Sequence, residues 1–128
     1  MSSIGVIQAA YDAYARRDFA AIISLYDAQC ILEQSSLLPW GGTYHGHIGL
    51  QQFFERLTQA IDTQIVDETL FEAGDKVISI GRTKGMARQT GTSFELSAVH
   101  VYTVSDGRIR RFEAYVDTPA MLQALGRA

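Results

Sequence analysis

The sequence predicts an α+β fold in which helices pack against one face of a mostly antiparallel sheet. Three observations predict it. Apolar residues recur at spacings of three and four along much of the first 60 positions, the period of amphipathic helices. Short apolar runs rich in Val and Ile, separated by turn signals, dominate the second half of the chain, as expected of successive strands. The 128 residues are 47% apolar, enough for one core and too few for two ordinary domains. Residues 1–128 are therefore read as a single domain.

The first helix is expected over Ser3 to Arg17, where Ile4, Ile7, Tyr11 and Tyr14 fall on one face and Ser2 or Ser3 can cap the N-terminus. Asp18 then caps a short second helix carrying Phe19, Ile22, Ile23 and Tyr26. Cys30 to Ser35 reads as the first strand. A loop punctuated by Pro39, Gly41, Gly42 and Gly46 comes next. His47 to Ile61 is the third helix, with Leu50, Phe53, Phe54 and Leu57 on its apolar side. Strands are expected at Thr63 to Glu72, Lys76 to Met86 and Ser93 to Val104. Ser105-Asp106-Gly107 turns the chain into a last strand, Arg108 to Val116. Thr118-Pro119 opens a short C-terminal helix, Ala120 to Leu125.

Alternation along the strand ending at Val104 places Phe94, Leu96, Ala98, His100 and Tyr102 on one face and Val99 and Val101 on the other. A sheet apolar on both faces needs two covers. Helices supply one, and a homodimer through the outer face is expected to supply the other.

The net charge of −3 argues against a nucleic-acid partner, which needs a basic face. Arg82, Lys84 and Arg88, and likewise Arg108, Arg110 and Arg111, are read as solvated strand edges and loops. Cys30 is the single cysteine, so no intrachain disulfide is expected. No apolar run reaches the roughly 18 residues of a membrane helix, and Met1–Gly5 lacks the layout of a secretory signal. A cytoplasmic protein without a membrane partner is expected. Phosphate loops, dinucleotide fingerprints and nucleophile elbows are absent, so no cofactor is expected.

Several segments, in order, resemble the NTF2-like superfamily, including SnoaL-like cyclases and ketosteroid isomerases. They are Asp18-Phe19 through Leu25-Tyr26-Asp27, Cys30-Ile31-Leu32-Glu33, Tyr44-His45-Gly46-His47 with Phe53-Phe54, and Asp106-Gly107-Arg108-Ile109 with Glu113-Ala114-Tyr115. The resemblance covers nearly the whole chain and implies a cone: a curved sheet wrapped around three N-terminal helices and enclosing one largely apolar pocket. Fold does not give function in such a family, whose members include both enzymes and binding modules.

By this resemblance the isomerases' carboxylate falls on Gln34, an amide that cannot take a proton near neutral pH. Strand alternation points Glu33 to the opposite face. The cyclases' acid/base position falls near Ala114. The isomerases' oxyanion-stabilising acid matches His100, which keeps a proton donor. His100 is the leading catalytic candidate. Tyr14 and Asp117 come after it, although Asp117 directly precedes Thr118-Pro119 and is more simply a helix cap. Gln34, Trp40, Tyr11, Phe54, Tyr102 and Phe112 are candidate ligand contacts, with Trp40 either a lid or a plug at the pocket mouth. His45 and His47 form an H-x-H pair without a third ligand nearby, so no metal site is expected. Two classes of function stay open. One is a cofactor-free isomerase, dehydratase, cyclase or hydrolase acting on a small hydrophobic, oxygenated ligand by proton transfer. The other is a noncatalytic ligand-binding or protein-interaction module.

Overall fold

The computed structural model describes residues 1–127. Four helices and six strands occur in the order α1 (Ser3–Ala15), α2 (Phe19–Ser24), β1 (Tyr26–Gln34), β2 (Gly42–His45), α3 (Gly46–Ala60), β3 (Ile61–Ala73), β4 (Lys76–Ala87), β5 (Ser93–Ser105), β6 (Arg108–Val116) and α4 (Thr118–Ala124). The strands form one sheet in the order β2-β1-β6-β5-β4-β3. Every pairing is antiparallel except β1 with β6. This is the α+β, NTF2-like cone that the sequence implies.

Local chemistry sets most of the boundaries. Ser2 Oγ accepts from the Gly5 backbone N–H and starts α1. The helix ends two residues earlier than expected because Arg17 takes a left-handed φ of 58°. Arg17 is held there by donating to the carbonyls of Tyr14 and Thr63 and to Asp62 Oδ1. The corner between α1 and α2 is thereby tied to β3. The buried stripe of α1 also differs from expectation. It runs through Val6, Ile7, Ala10 and Ala13, while Ile4, Tyr11 and Tyr14 flank it half-buried. The small alanines let the helix approach the sheet, and the two tyrosine rings reach past its sides.

Two corrections concern β1 and the glycine-rich loop. The first strand begins at Tyr26, which the sequence placed in α2. Asp27 Oδ2 accepts from the Gln29 backbone N–H, and the pairing with β6 shifts register between Tyr26 and Ile31. That bulge interrupts the alternation that would have revealed the strand. The loop after β1 contains β2, an edge strand of four residues pairing Gly42 with Gln34 and His45 with Ile31. It is too short and glycine-rich to show a period.

The sheet curls at β3 and β4. Asp67 and Glu68 both lie opposite the single Gly81, a β-bulge with Asp67 at a φ of 55°. A Cβ at Gly81 would stand 2.9 Å from Glu68 Cα and from the Val66 carbonyl oxygen, so only glycine permits this approach. The concave face of β4 carries Val77, Ser79, Gly81, Thr83, Gly85 and Ala87, most of them small. The convex face keeps two apolar rows: Phe71, Ile78 and Val101 pair across three strands, and so do Ile80, Val99 and Tyr115. Phe71, Ile80 and Tyr115 are exposed. Arg82 with Glu95, and Arg111 with Glu33 and Glu113, rim these rows with ion pairs. No helix among the described residues is long and apolar enough to cross a membrane.

Candidate functional site

The sheet and α1–α3 enclose an apolar chamber of about 90 Å³. It exists because large and small side chains alternate between facing elements. Ala10 on α1, Thr83 on β4 and Ala114 on β6 leave volume, and Trp40, Phe53, Phe54 and Phe112 bound it. Half-buried Tyr11, Tyr14 and Ile65 line both the chamber and an adjoining surface groove, which places them at its rim.

Three neighbouring positions of the inner face form a row across the strands. Gln34 on β1 pairs with Ala114 on β6, and Ala114 pairs with His100 on β5. With strands about 4.8 Å apart, the backbones of Gln34 and His100 stand roughly 10 Å apart. Ala114 leaves an open berth between their side chains.

His100 is 8% exposed, and that exposure is toward the chamber. Its Nδ1 lies 2.8 Å from Tyr11 Oη, and Tyr102 donates to the same oxygen at 3.2 Å. The Phe112 ring meets the imidazole edge-on at 5.1 Å and stacks on Tyr102 at 4.6 Å. Burial pushes the imidazole from its ordinary 6.5 down to about 4, because no nearby carboxylate compensates for lost hydration of the cation. It is therefore neutral at pH 7. Burial likewise pushes Tyr11 up to about 12, against partial relief from the neighbouring Ser79 and Tyr102 hydroxyls. Tyr102 is also raised by burial, first of all. Both phenols stay protonated.

At the other end of the row, Gln34 Oε1 accepts from Trp40 Nε1 at 3.1 Å. Trp40 is 0% exposed, and Tyr44 Oη donates to its carbonyl. It forms part of the chamber wall.

The structure thus brings six expected residues to one enclosed space around His100: Tyr11, Gln34, Trp40, Phe54, Tyr102 and Phe112. Tyr14 also lines it, but does not touch His100. Its ring sits at the rim under the Arg17 guanidinium, 4.5 Å away, and burial raises its hydroxyl. Tyr11, one turn earlier on α1, is the tyrosine that faces β5. Asp117 lies outside the chamber. Its Oδ1 accepts from the Ala120 backbone N–H and caps α4, so the catalytic assignment gives way to the capping one. Glu33 points to the convex face and pairs with Arg111 at 2.7 Å.

Sequence reasoning missed part of the lining. Thr63 and Thr83 contribute hydroxyls that bond each other, and Tyr26 is a wholly enclosed wall. Alternation within β3 and β4 carried a signal for the threonines; the bulge hid Tyr26. His47 Nε2 donates to the Tyr26 carbonyl at 2.9 Å. Among the described residues no three His, Cys, Asp or Glu side chains gather to hold a metal. Cys30 is buried, and its thiol is raised by that burial.

Comparison with known proteins places the chain in a family. The SnoaL-like domain model matches residues 7–112. No curated protein matches the chain. Among solved structures, an NTF2-like protein of unknown function from Burkholderia pseudomallei is 25% identical over 98% of both chains, with a TM-score of 0.91. An NTF2-like protein from Burkholderia thailandensis is 32% identical, covering 94% of this chain and 95% of that one, with a TM-score of 0.86. TerC, co-crystallised with polyporic acid, is 26% identical, covering 96% of this chain and 97% of that one, with a TM-score of 0.87.

Proposed function

The chain belongs to the SnoaL-like domain family, and on that premise we propose that its chamber binds a small hydrophobic, oxygen-bearing molecule whose oxygen rests on His100. The observation that carries this reading is a neutral imidazole set in an apolar wall, with one nitrogen bound to Tyr11 and the other without a partner among the described residues. That second nitrogen is accessible, since no buried side-chain nitrogen or oxygen among the described residues lacks a hydrogen bond, so a ligand oxygen in the chamber can reach it. The polyporic acid in TerC supports the ligand class.

The chemistry within reach is cofactor-free proton transfer. A hydrogen bond from a fixed, dry imidazole to a carbonyl oxygen stabilises the enolate that forms when a neighbouring C–H is lost. Isomerisation, dehydration and cyclisation share that step. One observation favours noncatalytic binding instead: no carboxylate lines the chamber, so no side chain of ordinary basicity stands ready to take the proton.

Titration with polyporic acid, monitored by Trp40 fluorescence, tests the binding reading, since Trp40 is the single tryptophan and lines the chamber. Saturable binding is expected. His100→Leu should weaken it by roughly tenfold, the value of one good hydrogen bond, and Ala114→Phe should abolish it by filling the berth. Saturable binding indifferent to both substitutions would place the ligand elsewhere and refute the chamber reading. Mass spectrometry of the recovered compound separates turnover from storage.

A further inference from the structure

The proton inventory around the chamber decides what kind of oxygen or nitrogen it accepts. Tyr102 has one hydroxyl proton and spends it on Tyr11 Oη. A phenol oxygen accepts two bonds and donates one. With Tyr102 donating to it, Tyr11 keeps one proton of its own, and its other hydrogen-bond partner among the described residues is His100 Nδ1 at 2.8 Å. The opposite assignment puts the proton on Nδ1 and makes Tyr11 accept from both His100 and Tyr102. The Tyr11 proton is then stranded, because its hydroxyl makes no other hydrogen bond among the described residues. The complete arrangement makes Nδ1 an acceptor, so the hydrogen of the neutral ring sits on Nε2, facing the chamber.

Gln34 repeats the pattern at the far end of the row. An indole N–H can only donate, so the Gln34 oxygen must be the atom that faces Trp40. The amide NH2 is left to the chamber. At both ends, a protein partner turns the acceptor toward itself and leaves a donor.

We propose that Tyr11, oriented by Tyr102, locks His100 in the Nε2–H tautomer, and that with Gln34 this makes the inner row a donor-only berth selective for ligands with acceptor oxygens such as ketones and quinones. The inference deepens the proposed function and rests on its chamber reading. Tyr11 and Tyr102 are positioning residues that act through His100. Nε2 then has no lone pair with which to remove a proton. Any base must come from the ligand or from water.

Two measurements test this. The first needs no ligand: long-range 15N–1H correlation of the imidazoles at pH 7. With three histidines in the chain, His100 is assigned by the signal lost in His100→Gln. The Nε2–H pattern is expected for His100 in the wild type. In Tyr11→Phe, the Nδ1 resonance should move to that of an unbonded nitrogen and the Nδ1–H form should appear. A wild-type Nδ1–H pattern, or an Nδ1 resonance unmoved by Tyr11→Phe, would overturn the lock. If Tyr11→Phe fails to fold, the wild-type spectrum alone still decides. The second measurement compares acetophenone with indole, aromatic probes of equal heavy-atom count, one presenting an acceptor and the other a donor. Acetophenone should bind at least about tenfold more tightly, because a donor facing two donors leaves both unpaired. The reverse order would overturn the donor-only berth. If neither probe binds while the Nε2–H tautomer is present, the ligand reading fails and the tautomer lock stands.

Discussion

Burial of an uncompensated histidine has a measurable consequence for folding. In the unfolded chain His100 takes a proton near its ordinary 6.5, and in the folded protein only near 4. Between these values the unfolded state binds the extra proton. Stability is therefore complete above pH 6.5 and is lost as pH falls toward 4. Integrated over that window, the loss is about 2 kcal/mol by pH 5 and about 3 kcal/mol by pH 4. That is a large share of the roughly 5–15 kcal/mol typical of a domain. The assay is urea denaturation at half-unit steps from pH 7 to pH 4 on the wild type and on His100→Gln, which keeps a polar side chain but does not titrate. Other acid-sensitive groups cancel in the difference, including Glu113, which Tyr115 and Arg111 hold below its usual range. The wild type should lose stability relative to the variant by these amounts. A difference that stays flat across the window would refute the reasoning and mean that the imidazole is hydrated or paired.

The fold supports two further expectations. Asp117→Ala removes the N-cap of α4 and should cost about 1 kcal/mol in urea denaturation without changing affinity for polyporic acid; a loss of binding with stability intact would return Asp117 to the chamber. We also expect a second copy of the chain to cover the apolar rows of the convex face, so Ile80→Glu should convert a dimer to a monomer in sedimentation velocity, and a monomeric wild type would refute this.

The parts of this molecule that were legible in the sequence are the ones encoded locally. The β5–β6 hairpin was readable because Asp106 and Gly107 both adopt left-handed φ values, 54° and 73°, which favour those residue types. The face of α3 was readable because Leu50, Phe53, Phe54 and Leu57 repeat at the helical period. Alternation on β5 placed His100 and Tyr102 together on the concave face. What escaped depends on distant contacts. Tyr11 and His100 are 89 residues apart, and no pattern in either segment says which of Tyr11 and Tyr14 the imidazole meets. The choice is made by Ala10 and Ala13, which rotate α1 so that its smallest residues face the sheet. The two acceptor-consuming contacts, Tyr11 to Nδ1 and Trp40 to Gln34, are likewise properties of packing.

That packing leads to a last expectation. A chamber that bound or activated its ligand through an ionised side chain would show affinity that tracks a titration near neutrality. This one has no such group in its lining: His100 titrates at about 4 and Tyr11 at about 12. Between about pH 5.5 and pH 9 the protonation of the His100–Tyr11 pair is constant. The affinity for acetophenone, itself without a titrating group, should therefore vary by less than about twofold across that range. Below about pH 5 it should begin to change, as protonation of the buried imidazole competes with the Tyr11 bond at Nδ1. The donor's own contribution to any turnover should be equally flat, because a donor that is already protonated has nothing to gain or lose between those limits, whatever pH dependence the base from ligand or water brings. Its rate contribution would be that of one well-placed donor, on the order of 10²–10³-fold. A binding curve with a midpoint between about pH 6 and pH 8 would instead mean that the imidazole exchanges protons with solvent at its ordinary affinity, and the tyrosine–histidine hydrogen-bond chain would have to be abandoned.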